Sequence, residues 1–125
     1  MPPNLKRGIA YLKTEVKTLP SQPGVYRMQN AAGEVLYVGK ARNLVRRVTN
    51  YTQPNRLSNR IMRMVGETQK LEVIVTKSEI EALLLESNLI KKMQPRYNIL
   101  LRDDKSLPQI LLTDDHEFGQ LTKHR

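Results

Sequence analysis

The sequence contains no cysteine and no tryptophan. A chain without cysteine forms no disulfide and no thiolate metal site, and this composition fits a reducing compartment, so we expect a cytoplasmic protein. No apolar run approaches the roughly 18 residues of a membrane-spanning helix, and the N-terminus lacks the apolar core of a signal peptide. We therefore expect no membrane anchor.

Acidic residues are also scarce compared with basic ones. Lysine and arginine total 21, whereas aspartate and glutamate total 12, which gives a formal net charge of +9. An excess of this size favours a polyanionic partner, with nucleic acid as the first choice and an anionic membrane surface as the second. A passively basic protein is the alternative interpretation. The 125 residues are enough for one domain with a modest two-layer core.

The apolar spacing predicts a small α+β fold. An amphipathic helix at residues 1–18 precedes elements in the order β-β-α-α-β-α, which implies a small, mainly antiparallel three-stranded sheet packed with helices. Predicted strands lie at residues 25–28, 34–38 and 71–75, and predicted helices at residues 42–51, 56–65 and 79–93. These elements form one domain at residues 19–100, and residues 101–125 are expected to lead into a further region of a longer protein.

Local signals predict the ends of several elements. The turn-forming residues 30–33 join the first two strands into a β-hairpin. Ser78 and Glu81 form a capping box that opens the last helix, and Pro95 stops it. Gly66 is expected to end the preceding helix.

Glu86 is the first candidate for chemistry. At about 100° per residue, Ala82, Leu89 and the other apolar side chains of the last helix surround it, which predicts a position in the middle of the apolar stripe. An unpaired carboxylate is costly to bury, so Glu86 needs a cation, either a Lys or Arg partner or a bound metal. A structural salt bridge, or a place at the open edge of the stripe, is the non-functional alternative.

The helix after the hairpin carries a second group of candidates. On the helical projection Lys40, Arg47 and Tyr51 lie within about 40° of one another, which places two cations and a phenol on one side. A guanidinium is suited to bidentate contact with phosphate oxygens. Gly39, which has no side chain, is expected to let a substrate approach the backbone. A solvated basic face is the alternative for this pattern.

Arginines recur on the next predicted helix. Arg56, Arg60 and Arg63 occupy positions i, i+4 and i+7, and therefore one helical face. This arrangement predicts contacts with the backbone of a duplex, which position a protein without reading sequence. Arg42 and Arg46 of the preceding helix are assigned to the same set. A solvated face explains the three aligned arginines equally well.

Several blocks of the sequence resemble one known family. Residues 24–26 (Gly-Val-Tyr) are followed after ten residues by residues 37–39 (Tyr-Val-Gly), and this pair resembles the signature of the GIY-YIG nuclease superfamily, with valine at both central positions. The blocks at residues 36–44, 81–91 and 95–98 resemble, more narrowly, the UvrC-type GIY-YIG domains of bacterial nucleotide excision repair.

The resemblance implies roles for seven residues. By matching position, Glu86 is the single protein ligand of a catalytic divalent metal, Mg²⁺ or Mn²⁺, which keeps water at its other sites. Tyr37 matches a tyrosine near the attacking water and Tyr26 its partner in the hairpin; either phenol is a candidate for the general base, and Tyr37 is preferred. By the same matching, Lys40 favours the ionised phenol and Arg47 stabilises the charge on the phosphoryl oxygens. Tyr51 and Asn98 match positions that line the same site.

The resemblance also implies a reaction and its partners. The reaction is metal-assisted hydrolysis of a DNA phosphodiester by water, on the 3′ side of a lesion in damaged double-stranded DNA that is loaded with UvrB. No small-molecule substrate and no membrane are implied. Two alternatives are a non-catalytic basic DNA-binding module and a stand-alone structure-selective nuclease of the same superfamily.

Overall fold

A computed structural model describes residues 4–102. In chain order the elements are α1 (Leu5–Val16), β1 (Gly24–Gln29), β2 (Val35–Ala41), α2 (Leu44–Asn50), α3 (Asn59–Glu67), β3 (Lys70–Val75), α4 (Glu79–Met93) and α5 (Arg96–Arg102), with a 3₁₀ turn at Pro54–Arg56. The predicted α+β class and three-stranded sheet are confirmed. The division of the chain into three regions stays a prediction, and the region predicted to follow the domain lies almost wholly outside the described residues. No helix within residues 4–102 is long and apolar enough to span a membrane.

The three strands form an antiparallel sheet in the order β2-β1-β3, so β1 is central and β2 is an outer strand. The register pairs Tyr26 with Gly39, and Val25 with Lys40. Because side chains alternate along a strand, Tyr26 and Val25 point to opposite faces of the sheet. We call the face that carries Tyr26 the tyrosine face, and the face that carries Val25 the valine face.

The predicted hairpin turn is present between β1 and β2. Asn30 Oδ1 accepts hydrogen bonds from the backbone N of Ala32 and of Glu34, both at 3.0 Å, and its carbonyl accepts one from Gly33 N at 3.0 Å. Gly33 has a φ of 86°, which is a conformation that favours glycine. The turn is therefore determined by residues inside it, which is why the local sequence predicted it.

Helices on the tyrosine face enclose the main core. The side chains that α1, α2 and α3 bury there are Leu5, Leu12, Leu44, Val48, Ile61, Met64 and Val65. The helices α1 and α3 also approach closely, since a Cβ atom on Gly8 would lie 2.0 Å from the carbonyl oxygen of Val65. The amphipathic helix predicted at the N-terminus thus contributes to the same core as the sheet.

On the valine face, α4 packs against β1 and β2. Val25, Val38 and Ala82 form its buried centre, and Leu85 and Leu89 are among the partly buried side chains around them. Burial of apolar side chains on both faces of the sheet makes the domain three-layered in this region.

The ends of α4 agree with the local signals. Ser78 Oγ accepts a hydrogen bond from Glu81 N at 3.1 Å, and Glu81 Oε1 accepts one from the backbone N of Lys77 at 2.7 Å. The capping box is therefore present, with the carboxylate reaching one residue further back than in its usual form. The helix ends at Met93, where Gln94 adopts the left-handed conformation before Pro95.

The start of α3 differs from the prediction. Ser58 caps the helix through its hydroxyl, so α3 begins three residues after Arg56, which belongs to the 3₁₀ turn. The prediction that Arg56 shares a helix with Arg60 and Arg63 is therefore wrong. Gly66 lies inside α3 and does not end it.

The helix α5 is not among the elements that the sequence predicts. Tyr97 Oη donates a hydrogen bond to Glu67 Oε2 at 2.6 Å, and the Arg96 guanidinium bonds the other carboxylate oxygen while lying 5.0 Å from the centre of the Tyr97 ring. Burial and the hydrogen bond to Glu67 raise the pKa of Tyr97 to about 12. The contact that holds α5 in place joins residues 30 positions apart, so the local sequence does not predict this helix.

Each outer strand is capped by a side chain from a helix. Tyr11 Oη of α1 accepts a hydrogen bond from Leu71 N of β3 at 2.8 Å. Asn98 of α5 accepts from Val38 N of β2 at 2.8 Å and donates to Val38 O at 2.9 Å. Unpaired strand edges promote association between sheets, so these contacts protect both edges as well as tying α1 and α5 to the sheet.

Candidate active site

Three tyrosines lie together on the tyrosine face. The ring centroids of Tyr26 and Tyr37 are 6.1 Å apart, and those of Tyr26 and Tyr51 are 5.9 Å apart. The Oη atoms of Tyr26 and Tyr51 form a hydrogen bond of 2.7 Å. Since Tyr26 belongs to β1, Tyr37 to β2 and Tyr51 to the C-terminal cap of α2, three elements converge on one phenol cluster.

The three phenols differ in their access to solvent. Tyr26 and Tyr51 are fully buried, whereas Tyr37 is half-buried. Burial raises the pKa of Tyr26 well above its ordinary value of 10.0; Tyr51 and Tyr37 act in the same direction and the Arg47 charge opposes them. Tyr26 therefore stays protonated, and Tyr37 is the member of the cluster that a water molecule can reach.

Arg47 is buried beside this cluster. Its side chain is only 2% exposed, although it belongs to the short helix α2. The helix is positioned by Asn43, whose Oδ1 accepts a hydrogen bond from Arg46 N at 3.1 Å. Burying a guanidinium is costly. A buried cation close enough to a buried phenol to lower the pKa of Tyr26 is typical of a functional site.

The structure gives Gly39 a different role from the one expected. Gly39 pairs with Tyr26 across the two strands, and the Tyr26 ring lies over it. A Cβ atom on Gly39 would lie 2.4 Å from both Cζ and Oη of Tyr26. The space above Gly39 is thus filled by the phenol, so the expectation that a substrate approaches the backbone here is wrong.

Gly39→Ala is expected to lower the free energy of unfolding by about 2 kcal/mol, because the buried Tyr26 ring has no free space into which to move. Urea unfolding of the single variant, of Tyr26→Leu and of the double variant measures this. In the Tyr26→Leu background Gly39→Ala should cost less, since the shorter side chain leaves room for Cβ. Equal costs in the two backgrounds would show that Tyr26 is not what requires glycine.

Lys40 lies in β2 and not on the helix that follows. The helical projection that aligned it with Arg47 and Tyr51 is therefore wrong, because β2 extends to Ala41 and α2 begins only at Leu44. Lys40 pairs with Val25, so it belongs to the valine face and Tyr37 belongs to the other. The structure thus separates Lys40 from the phenol cluster by one thickness of the sheet.

Glu86 lies on the side of α4 that packs against the sheet. Its neighbours on this side, Ala82, Leu85 and Leu89, contact the valine face. Only Ala82 is fully buried along α4, and Glu86 is half-buried. Glu86 therefore lies on the apolar stripe but is not fully buried, because the sheet covers this stripe only in part.

The described residues limit how a metal ion is held. Within residues 4–102 no group of three or more His, Cys, Asp or Glu side chains is arranged to bind a metal. A half-buried single carboxylate such as Glu86 nevertheless fits Mg²⁺, which usually takes one or two carboxylates and completes its shell with water and phosphate oxygens. The donor set of this chain is thus compatible with a hydrated magnesium ion.

Asn98 holds the strand that carries Tyr37. Both polar atoms of its side-chain amide bond the main chain of Val38, the residue next to Tyr37. Asn98 comes from α5, 60 residues along the chain. It therefore orients β2 at the phenol cluster, a function that sequence spacing alone does not reveal.

The arginines predicted to contact DNA are all exposed: Arg42, Arg46, Arg56, Arg60 and Arg63. Two of them also bond the protein, since Arg42 Nε donates to Glu79 Oε2 and Arg60 Nη1 donates to the carbonyl of Leu100, both at 3.2 Å. They come from α2, the 3₁₀ turn, α3 and, for Arg42, the segment between β2 and α2, so Arg42 does not lie on the helix predicted for it. Their role in DNA binding stays a prediction.

Comparison with known proteins gives a family match over most of the chain. A sequence model described as "UvrC-like GIY-YIG domain" matches residues 22–99. The chain is 60% identical over 123 residues to UvrABC system protein C of Rhodospirillum rubrum, covering 98% of this chain and 19% of the relative. It is 62% identical over 118 residues to the protein of the same name from Mesorhizobium japonicum, covering 94% of this chain and 17% of the relative. The chain thus spans about a fifth of the length of these curated relatives.

A solved structure of similar fold is also known. The GIY-YIG N-terminal endonuclease domain of UvrC from Thermotoga maritima, bound to its catalytic divalent cation, magnesium, superposes with a TM-score of 0.63 and is 38% identical. The match covers 69% of this chain and 93% of that one. A tyrosine-to-phenylalanine variant of the same domain, bound to the catalytic divalent cation, matches with the same TM-score and 37% identity, over 69% of this chain and 92% of that one.

Proposed function

Because the chain belongs to the UvrC-like GIY-YIG domain family, we propose that it is a metal-dependent DNA endonuclease domain that hydrolyses a phosphodiester bond. The observation that carries this proposal is the phenol cluster: Tyr26 and Tyr51 are sealed in the core, and Tyr37 alone of the three is accessible beside the buried Arg47. A DNA-binding module that does no chemistry does not require a buried guanidinium close to a cluster of phenols.

Tyr37 is the proposed general base. With Tyr37 in its phenolate form, a water oxygen forms the new bond to phosphorus while its proton passes to Tyr37 Oη. The bond from phosphorus to the leaving oxygen breaks, and the leaving oxygen keeps the electron pair and takes a proton from solvent water. Tyr26 is unsuited to this role because its raised pKa and full burial keep its phenol protonated and away from water. Tyr26 instead packs against the Tyr37 ring, and Tyr51 holds Tyr26 in place through the hydrogen bond between their Oη atoms. Together they fix the orientation of the Tyr37 side chain.

Glu86 would hold the magnesium ion, which when bound supplies a Lewis acid for the phosphoryl oxygen and lowers the pKa of coordinated water. Glu86 and the phenols start from opposite faces of the sheet. Both can contact the same phosphodiester at β2, because β2 is an outer strand and a substrate at the sheet edge can be reached from both faces. Lys40 shares the valine face with α4, so we assign it a phosphate contact on the Glu86 side and not an effect on Tyr37.

Arg47 is assigned to the charge that develops on the phosphoryl oxygens. Its guanidinium is held in a low-dielectric setting, where an electrostatic interaction is stronger than at the surface. Asn98 is a positioning residue, because its amide fixes Val38 and thereby the strand that presents Tyr37.

The role of the longer protein is part of the same proposal. We propose that this domain makes the 3′ incision in lesion-containing double-stranded DNA together with UvrB, in the cytoplasm. The names of the relatives support a place in the UvrABC system. The charge of +9 supports a DNA partner.

A nicking assay tests this function. The longer protein that carries this domain is incubated with UvrB-loaded, lesion-containing duplex, with Mg²⁺ or with a chelator. We expect a single nick on the 3′ side of the lesion that appears only with Mg²⁺. The reason is that the ion held by Glu86 fills its other positions with water and with phosphate oxygens of the substrate, so the reaction depends on the ion. Nicking that persists in the chelator would contradict the metal-dependent mechanism, and nicking without UvrB would favour a stand-alone nuclease.

A further inference from the structure

The exposed side of α1 carries a straight row of lysines. Lys6, Lys13 and Lys17 are all exposed and lie within about 40° of one another around the helix axis. At a rise of 1.5 Å per residue the row is about 16 Å long. We call these three residues the lysine row.

The opposite side of α1 is already occupied. Leu5 and Leu12 are fully buried in the core, and Gly8 meets the backbone of α3. An amphipathic helix that binds a membrane, or a partner helix, must offer its apolar face to that partner. Since α1 uses this face inside the domain, the lysine row can act only through its charge.

The helices of the tyrosine face form a strongly basic surface. On α1, α2 and α3 the acidic residues are Glu15 and Glu67, which are both half-buried, and Glu67 is bonded to α5. The exposed basic residues on these helices are Lys6, Arg7, Lys13, Arg46, Arg60 and Arg63, with Lys17 at the end of α1. The helix α1 contacts both α2 and α3, so the lysine row lies on a helix adjacent to those that carry Arg46, Arg60 and Arg63.

The chemistry of this surface favours a duplex over a single strand. Proteins that bind single-stranded nucleic acid stack its bases on exposed aromatic rings. All five tyrosines are buried or half-buried, and none of the rings in residues 4–102 is fully exposed. A surface of lysines and arginines without such rings fits the phosphates of a double helix, whose bases are already stacked.

We propose that the lysine row is a second docking surface for the DNA duplex, in which Lys6, Lys13 and Lys17 each contact a backbone phosphate. The inference rests on the proposed function, since it takes double-stranded DNA as the substrate. The row spans about half a turn of the duplex, because a full turn is roughly 34 Å long. It fixes the direction in which the duplex crosses the domain and takes no part in the cutting step.

Salt-dependent binding tests the lysine row. The 125-residue chain is titrated with a labelled duplex about three turns long, in chelator so that no strand is cut, at several salt concentrations. Each phosphate contact contributes about 0.9 to the slope of log K against log salt, so Lys6→Gln, Lys13→Gln and Lys17→Gln together should reduce the slope by about 2.7. Thermal unfolding confirms that the variant is folded.

A matched control separates position from net charge. Lys77, Lys91 and Lys92 are exposed lysines at the two ends of α4, and their joint substitution by glutamine removes the same charge. We expect this control to change the slope by less than about 1. Equal changes in the two triple variants would overturn the proposal, as would an unchanged slope in the lysine-row variant.

Two further outcomes would also overturn it. One is that the wild-type chain does not bind the duplex in the titration. The other is that the lysine-row substitutions abolish binding to vesicles of anionic lipid and leave duplex binding intact. Neither outcome decides whether the domain cuts DNA, because cutting is measured by the nicking assay with Mg²⁺, and the two proposals therefore fail separately.

Discussion

Glu86→Gln is expected to reduce Mg²⁺-dependent nicking by on the order of a thousandfold, equivalent to about 4 kcal/mol of transition-state stabilisation. The substitution keeps the size of the side chain and removes its negative charge. Since no group of three or more metal-binding side chains exists within residues 4–102, a neutral amide at this position should leave the ion without the anionic ligand assigned to it. Affinity for the duplex, measured in chelator, should be unchanged or slightly higher, because an acidic group near phosphates has been removed.

The control for this variant is Glu81→Gln on the same helix. Glu81 is exposed and accepts a hydrogen bond from Lys77 N, which the oxygen of a glutamine side chain can also accept. The control changes the net charge by the same amount, so it should nick at the wild-type rate. Unchanged nicking by Glu86→Gln would refute the metal-ligand assignment. Equal loss in both variants would show that the charge of α4, and not one carboxylate, is what matters.

Arg47→Ala is expected to slow nicking by a factor on the order of 100 to 1,000 while duplex affinity falls much less. The physical reason is burial: a guanidinium that is 2% exposed makes its strongest interaction with charge that appears inside the site. Single-turnover kinetics on loaded DNA separate the rate from binding. Arg47→Lys keeps the charge but loses the planar fork, and an intermediate rate is expected for it.

Arg46→Ala provides the matched comparison, because Arg46 is the neighbouring residue on α2 and is exposed. As a backbone contact it should weaken binding and lower the salt dependence by about 0.9, with little change in the rate on bound DNA. If Arg47→Ala instead reduced affinity in proportion to the rate, Arg47 would be another backbone contact. Urea unfolding of Arg47→Ala separates a loss of stability from a loss of rate.

Much of the fold is predictable from local sequence. The hairpin turn depends on Asn30 and Gly33, and the start and end of α4 depend on Ser78 and Pro95. In each case the residues that form the hydrogen bond or restrict the backbone lie within a few positions of one another. The predicted start of α3 was wrong because the helical spacing of apolar residues continues upstream of Ser58. The local signal that decides this boundary is the hydroxyl of Ser58, which caps the helix.

The candidate site is predictable only as a set of residue types. Tyr26, Tyr37 and Tyr51 do meet, and Arg47 lies beside them. Their spacing does not reveal which phenol is sealed from water, because that depends on how α1, α2 and α3 close over the sheet. Lys40 was misplaced because β2 ends at Ala41, three residues later than its pattern predicts. Its side chain therefore follows the alternation of a strand and not the rotation of a helix.

The sequence by itself determined the α+β class, the hairpin, the caps of α4, the basic charge and the residue types available to the candidate site. Only the tertiary structure decided the burial of Tyr26, the need for glycine at Gly39, the half-open position of Glu86 and the existence of α5. The physical reason is how far apart along the chain the interacting residues lie. Turns and caps are closed by neighbours along the chain, whereas burial, and contacts such as that of Asn98 with Val38 across 60 residues, depend on which surfaces pack together after the chain has folded.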